Sequence, residues 1–125
     1  GILSSYTLSC RDKEDKLLLK NESFRLTSVC DTSECKTRSV YEELINYTYE
    51  VGGEVNPADV LREKEGDCDE TARLALKLLE YAGVKGHIAC SSNHCWSVYH
   101  TNKGKVIIDV AAQQYTVIEG GSKWN

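Results

Sequence analysis

The chain has 125 residues, 41% apolar and 27% charged, the balance of an ordinary folded domain with a real hydrophobic core. Fifteen basic residues against nineteen acidic ones give a net charge of −4. That surface repels phosphate backbones and argues against nucleic acid as a partner, and no apolar run approaches the roughly 20 residues of a membrane span.

Gly1-Ile2-Leu3-Ser4 does not read as a signal peptide and is compatible with the cut edge of a larger chain. Residues 1–36 read as an irregular or mixed, variable N-terminal region. In it the run Arg11-Asp12-Lys13-Glu14-Asp15-Lys16 is expected as a solvated turn, and Leu17-Leu18-Leu19 and Phe24-Arg25-Leu26 as short segments covering the core. Residues 37–125 form the expected core of one domain spanning 1–125. Val40, Leu44, Tyr47 and Val51 recur on one helical face, which predicts a helix from Thr37 to Val51, ended by Gly52-Gly53. Asn56 with Pro57 then signals the start of a second helix, stopping near Gly66. Asp67 and Glu70 have capping-box spacing, and Cys68, Ala72, Ala75, Leu76 and Leu79 follow as one stripe up to Gly83, the third predicted helix.

Beyond Gly83 the period changes. Lys85–Cys90, His94–His100, Lys105–Val110 and Tyr115–Ile118 read as strands, with Thr101-Asn102-Lys103-Gly104 a turn between the second and third. Helices followed by an antiparallel sheet make an α+β fold: a helical layer carrying Cys68, packed on a sheet carrying His94 and Asp109.

Six cysteines are many for this length. If Cys68 is free, at most two disulfides can form among Cys10, Cys30, Cys35, Cys90 and Cys95. Cys90 and Cys95 could close a hairpin, and Cys10 could join Cys30 or Cys35. The equally spaced pairs Cys30-x4-Cys35 and Cys90-x4-Cys95 could instead hold zinc. Such cysteine use points to an extracytoplasmic or cell-surface setting, the cytoplasm of a thermophile being the other place where it occurs. Two N-x-S/T sequons, at Asn21 and Asn46, are short enough to arise by chance.

The chemistry centres on Cys68. At the first turn of a helix, unpaired amides favour a negatively charged sulfur, and the thiolate is the nucleophile. Asp67, Asp69 and Glu70 oppose this by repulsion, so a protonated histidine is the natural positive neighbour. His94, Trp96, Val98 and His100 alternate onto one strand face, and a turn centred on Asn102-Lys103 sets Trp96 opposite Asp109, with His94 in diagonal reach. A carboxylate there binds one imidazole nitrogen and leaves the other for the thiol. Trp96 reads as a core aromatic that shields the site from water and as the candidate substrate-binding residue. His87 and His100 read as rim residues, with His100 a reserve candidate on the face of His94.

In order and spacing, Gly66-Asp67-Cys68, Gly83, His94-Cys95-Trp96 and Asp109-Val110-Ala111 resemble the transglutaminase-like core, over the segment from Asn56 to Ala111. The resemblance implies thiol chemistry at an amide, by a cysteine peptidase, an amidase or a cross-linking transglutaminase, through a thioester on Cys68. It implies a peptide or protein amide as substrate, with no cofactor and no metal. The superfamily also has inactive members, so a catalytically silent binding or structural module, held by disulfides or zinc, is the alternative. Cys95 departs from the small or apolar residue usual between the histidine and the tryptophan.

Overall fold

The structure, a computed structural model, describes residues 2–52 and 56–119, with side chains from Arg11 onward. In chain order the elements are α1 (Ile2–Thr27), α2 (Ser33–Leu44), β1 (Thr48–Tyr49), α3 (Pro57–Glu63), β2 (Glu65–Gly66), α4 (Cys68–Tyr81), β3 (Gly86–Cys90), β4 (Cys95–Thr101), β5 (Gly104–Asp109) and β6 (Gln114–Ile118). Four helices pack on an antiparallel sheet of order β3-β4-β5-β6, the expected α+β layout.

The N-terminal third departs from expectation. It is one long helix, and the charged run Arg11–Lys16 lies inside it rather than in a turn. Asp15, Leu19, Ser23, Leu26 and Thr27 form its buried stripe. Polar residues at several of those positions hide the period from a count of apolar residues alone. They can be buried because partners distant in the chain satisfy them. Asp15 accepts from Arg62 at 2.6 Å and from Asn56 at 3.0 Å, and Ser23 donates to the Leu78 carbonyl at 2.6 Å. Leu17 and Phe24, expected to cover the core, face solvent.

The next helix is also shifted. It begins at Ser33, not Thr37, because Thr32 caps it by accepting from the Cys35 amide. It ends at Leu44, before Tyr47 and Val51. β1 then pairs in parallel with β2, and Val51 is left exposed. Asn56 caps α3 with Pro57 in its first turn, as expected, but the helix stops at Glu63 on a left-handed Lys64. Gly66 serves packing instead, since a Cβ there would meet Glu70 Cβ at 3.2 Å and Val60 Cγ1 at 3.3 Å.

α4 is the central helix. Its capping box is complete: Glu70 N–H donates to Asp67 Oδ1 at 2.9 Å, and Asp67 N–H donates to Glu70 Oε1 at 3.0 Å. Its end is a Schellman turn, with Gly83 N–H donating to Glu80 O and Val84 N–H to Leu79 O, made possible by Gly83 at φ 84°. The buried face is wider than the predicted stripe, since Leu74 and Leu78 join Ala72, Ala75 and Leu79 inside. The helix is enclosed by other helices and by the inner sheet residues Tyr99, Val106 and Ile108.

The disulfides are Cys30–Cys35 and Cys90–Cys95. Each equally spaced pair closes on itself, so Cys10 is bonded to neither Cys30 nor Cys35, and the four sulfurs are not zinc ligands. The Cys10 side chain lies outside the described residues. Two disulfides fit an oxidising compartment. Among the described residues, no helix is long and apolar enough to cross a membrane.

Candidate active site

The sheet register decides which polar side chains meet. Asn102 and Lys103 form the turn between β4 and β5; Thr101 pairs with Gly104 and Ser97 with Ile108. Continued by one residue, this register sets Trp96 beside Asp109. His94, just before β4, reaches across: its Nε2 lies 2.7 Å from Asp109 Oδ2. The other carboxylate oxygen accepts from the Ala112 N–H at 3.1 Å, in the turn that follows β5. Asp109 is buried and both of its oxygens are engaged, whereas the His94 side chain keeps 34% of its surface exposed. Nε2 is the ring nitrogen engaged by Asp109, and Nδ1 is the one left free of it.

The Trp96 ring lies 5.9 Å from the His94 ring at an interplanar angle of 34°, which covers one side of the imidazole. His87 and His100 are exposed, with their rings 6.3 Å apart, as expected of rim positions.

Cys68 is the first residue of α4, half-buried, and among the described residues it is the free cysteine. Its sulfur makes no hydrogen bond to His94. The helix that Cys68 opens packs against β4, the strand that His94 precedes, although neither side chain lines the small cavity beside them. A cavity of about 60 Å³ is lined by Gly66 and Thr71, which flank Cys68, and by Val110, Ala111 and Gln113, which follow Asp109.

Three further residues shape this region in ways that sequence reasoning did not foresee. Tyr41 on α2 packs against Tyr115 with ring centres 5.3 Å apart and planes tilted by 49°; burial, and then the charge of Asp109, push its phenol above the ordinary tyrosine range. Glu70 is expected as a cap and as a charge opposing a thiolate at Cys68. Burial pushes its carboxyl up, and its Oε2 is buried without a partner. The Ala112 amide secures Asp109, and a backbone donor leaves no mark in the side-chain pattern.

No family model matches the chain, and no curated protein matches it. Among solved structures, it resembles a candidate protease from Parabacteroides distasonis, with a TM-score of 0.58 and 14% sequence identity. The likeness covers 81% of this chain and 27% of that protein. At that identity it establishes the fold alone: this chain shares its α+β architecture with about a quarter of a larger protein.

Proposed function

We propose that this domain is a thiol enzyme of the transglutaminase-like kind that hydrolyses or transfers an amide acyl group. Cys68 is the nucleophile, His94 the proton carrier and Asp109 the group that orients the ring. The observation that carries this reading is the 2.7 Å contact between His94 Nε2, just before β4, and Asp109 Oδ2, at the end of β5, on a sheet packed against a helix that opens with an unbridged cysteine.

In the proposed reaction, Nδ1 of His94 accepts the thiol proton, and the Cys68 sulfur adds to an amide carbonyl. The amide C–N bond breaks as His94 returns that proton to the leaving amine, and a thioester remains. Water, deprotonated by His94, then releases the acid and restores the thiol; a primary amine in its place yields a new amide. The Cys68 backbone amide is the first donor for the oxyanion. The Asp67 amide is not available for that role, because Glu70 Oε1 already holds it.

Hydrolysis is favoured over cross-linking. His94 stays one-third exposed, and a domain of this size has few elements with which to keep water from a thioester. The fold likeness to a candidate protease agrees with this preference. The missing thiol–imidazole hydrogen bond is the observation in favour of a silent binding module, although such bonds often tighten only with substrate bound.

The test is mass spectrometry of the protein incubated with a glutamine-containing peptide and a primary amine. Deamidation or backbone cleavage, lost in Cys68→Ala, identifies a hydrolase; amine incorporation identifies a transferase. If no product forms and Cys68 is alkylated as slowly as an ordinary thiol, the enzymatic reading fails.

A further inference from the structure

We infer that the Cys90–Cys95 disulfide is the positioning device of this site and makes its chemistry depend on redox state. The inference rests on the proposed role of His94. Cys90 and Cys95 face each other as the last cross-strand pair of β3 and β4, and the bond between their sulfurs closes the loop Ser91-Ser92-Asn93-His94. His94 is therefore not anchored within a strand. It occupies the closing position of a hairpin turn, where its carbonyl accepts from the Ser91 amide at 2.8 Å.

Residues 91–93 are exposed, so packing contributes little to holding the loop. The imidazole is fixed at three places: the His94 carbonyl, which accepts from the Ser91 amide at 2.8 Å and from the Ser91 hydroxyl at 3.4 Å, the ring, which meets Asp109, and the disulfide at the adjacent residue. The first two are hydrogen-bonded contacts that water can replace. The covalent one sets where the first two can form, because Cys95 lies between His94 and Trp96 and fixes the end of the strand that His94 precedes and Trp96 belongs to.

Reduction by a dithiol would break this tether in a balanced exchange. One thiolate of the reductant attacks a sulfur of the pair and forms a mixed disulfide. The second thiolate displaces the protein thiol, so Cys90 and Cys95 leave as two thiols and the reductant as a cyclic disulfide. The hairpin end is then free to fray, and Nδ1 of His94 loses its fixed direction. The reduced site keeps all three catalytic groups but no longer presents them together.

The experiment measures the rate of Cys68 alkylation by iodoacetamide against pH, read at the Cys68 peptide by mass spectrometry. In the native protein a thiol paired with His94 labels fast near pH 6. In Cys90→Ser/Cys95→Ser that rate should fall by about tenfold or more, while near pH 10, where any thiol is ionised, the two proteins should agree. Cys30→Ser/Cys35→Ser, which removes the other disulfide, should label like the native protein throughout. To guard against misfolding of a variant, the native protein is reduced with dithiothreitol, desalted and labelled. The loss near pH 6 should appear, and it should reverse on reoxidation.

If Cys90→Ser/Cys95→Ser and the reduced protein both keep the native profile while His94→Ala loses it, the positioning role is wrong and the enzymatic reading survives. If the native protein already labels slowly near pH 6, both are wrong.

Discussion

The two disulfide loops have the same length in sequence and act at opposite ends of β4. Cys30–Cys35 encloses the Thr32 cap and the first turn of α2. That turn grips the tip of the β4–β5 hairpin: Glu34 N–H donates to Asn102 Oδ1 at 2.9 Å, Asn102 N–H donates to Ser33 Oγ at 2.8 Å, and Lys103 pairs with Glu34 at 3.4 Å. Cys90–Cys95 lies roughly 20 Å away along the strands, next to a solvent-facing loop whose one long-range side-chain bond among the described residues is His94 to Asp109. The first loop is held many times over, so its disulfide adds stability. The second is held by little else, so its disulfide adds direction. Equal covalent chemistry thus serves different ends according to how many neighbours share the task.

This contrast breaks most sharply at His94. His94→Ala should lower the rate of thioester formation on Cys68 by about 10²–10⁴-fold. Because the side chain is partly exposed, the midpoint of urea unfolding should barely move. Stopped reactions analysed by mass spectrometry, beside an unfolding curve, check both halves. Leu44→Ala, in the fully buried end of α2, should do the reverse. It should cost about 2–5 kcal/mol of stability in urea unfolding and leave the labelling rate of Cys68 in the folded fraction unchanged.

Smaller effects sharpen the comparison on the Cys30–Cys35 side. Thr32→Ala removes the cap of α2 and should cost about 1 kcal/mol, with no change at Cys68. The weakest effect is expected from Glu34 and depends on pH. Burial pushes its carboxyl up, but hydrogen bonds from Tyr115 and Lys103, with the charges of Arg38 and Lys103, hold it below the ordinary glutamate range. A carboxyl depressed by folding stabilises the fold above its unfolded value, roughly pH 4. That contribution disappears as pH falls through the lower, folded value. Glu34→Gln should therefore be less stable than the native chain at pH 7, and the gap should narrow at pH 3; denaturant unfolding at the two pH values measures it.

Much of the fold is legible in the sequence. The cap of α4, the stop at Gly83, the four strands and the Asn102-Lys103 turn depend on local chemistry: side chains that bond their own backbone, a glycine at positive φ, and alternation with a period of two. α1 is not legible, because its buried stripe carries Asp15 and Ser23, which look like surface residues until Arg62, Asn56 and the Leu78 carbonyl are set beside them. The start of α2 is obscured for a similar reason, since Thr32 and the Cys30–Cys35 bond define it rather than any apolar repeat.

The site divides along the same line. By itself the sequence determined that a cysteine opens a capped helix, that an aspartate ends one strand and that a histidine stands at the start of its neighbour, since spacing and turn geometry fix those facts within a residue or so. Only the tertiary structure decided that the four flanking cysteines pair as two closed loops, that the Ala112 amide secures Asp109, and that Glu70 is buried and Tyr41 half-buried beside this region. Each of these depends on desolvation or on a partner distant in the chain, and neither is defined until the helices have packed on the sheet.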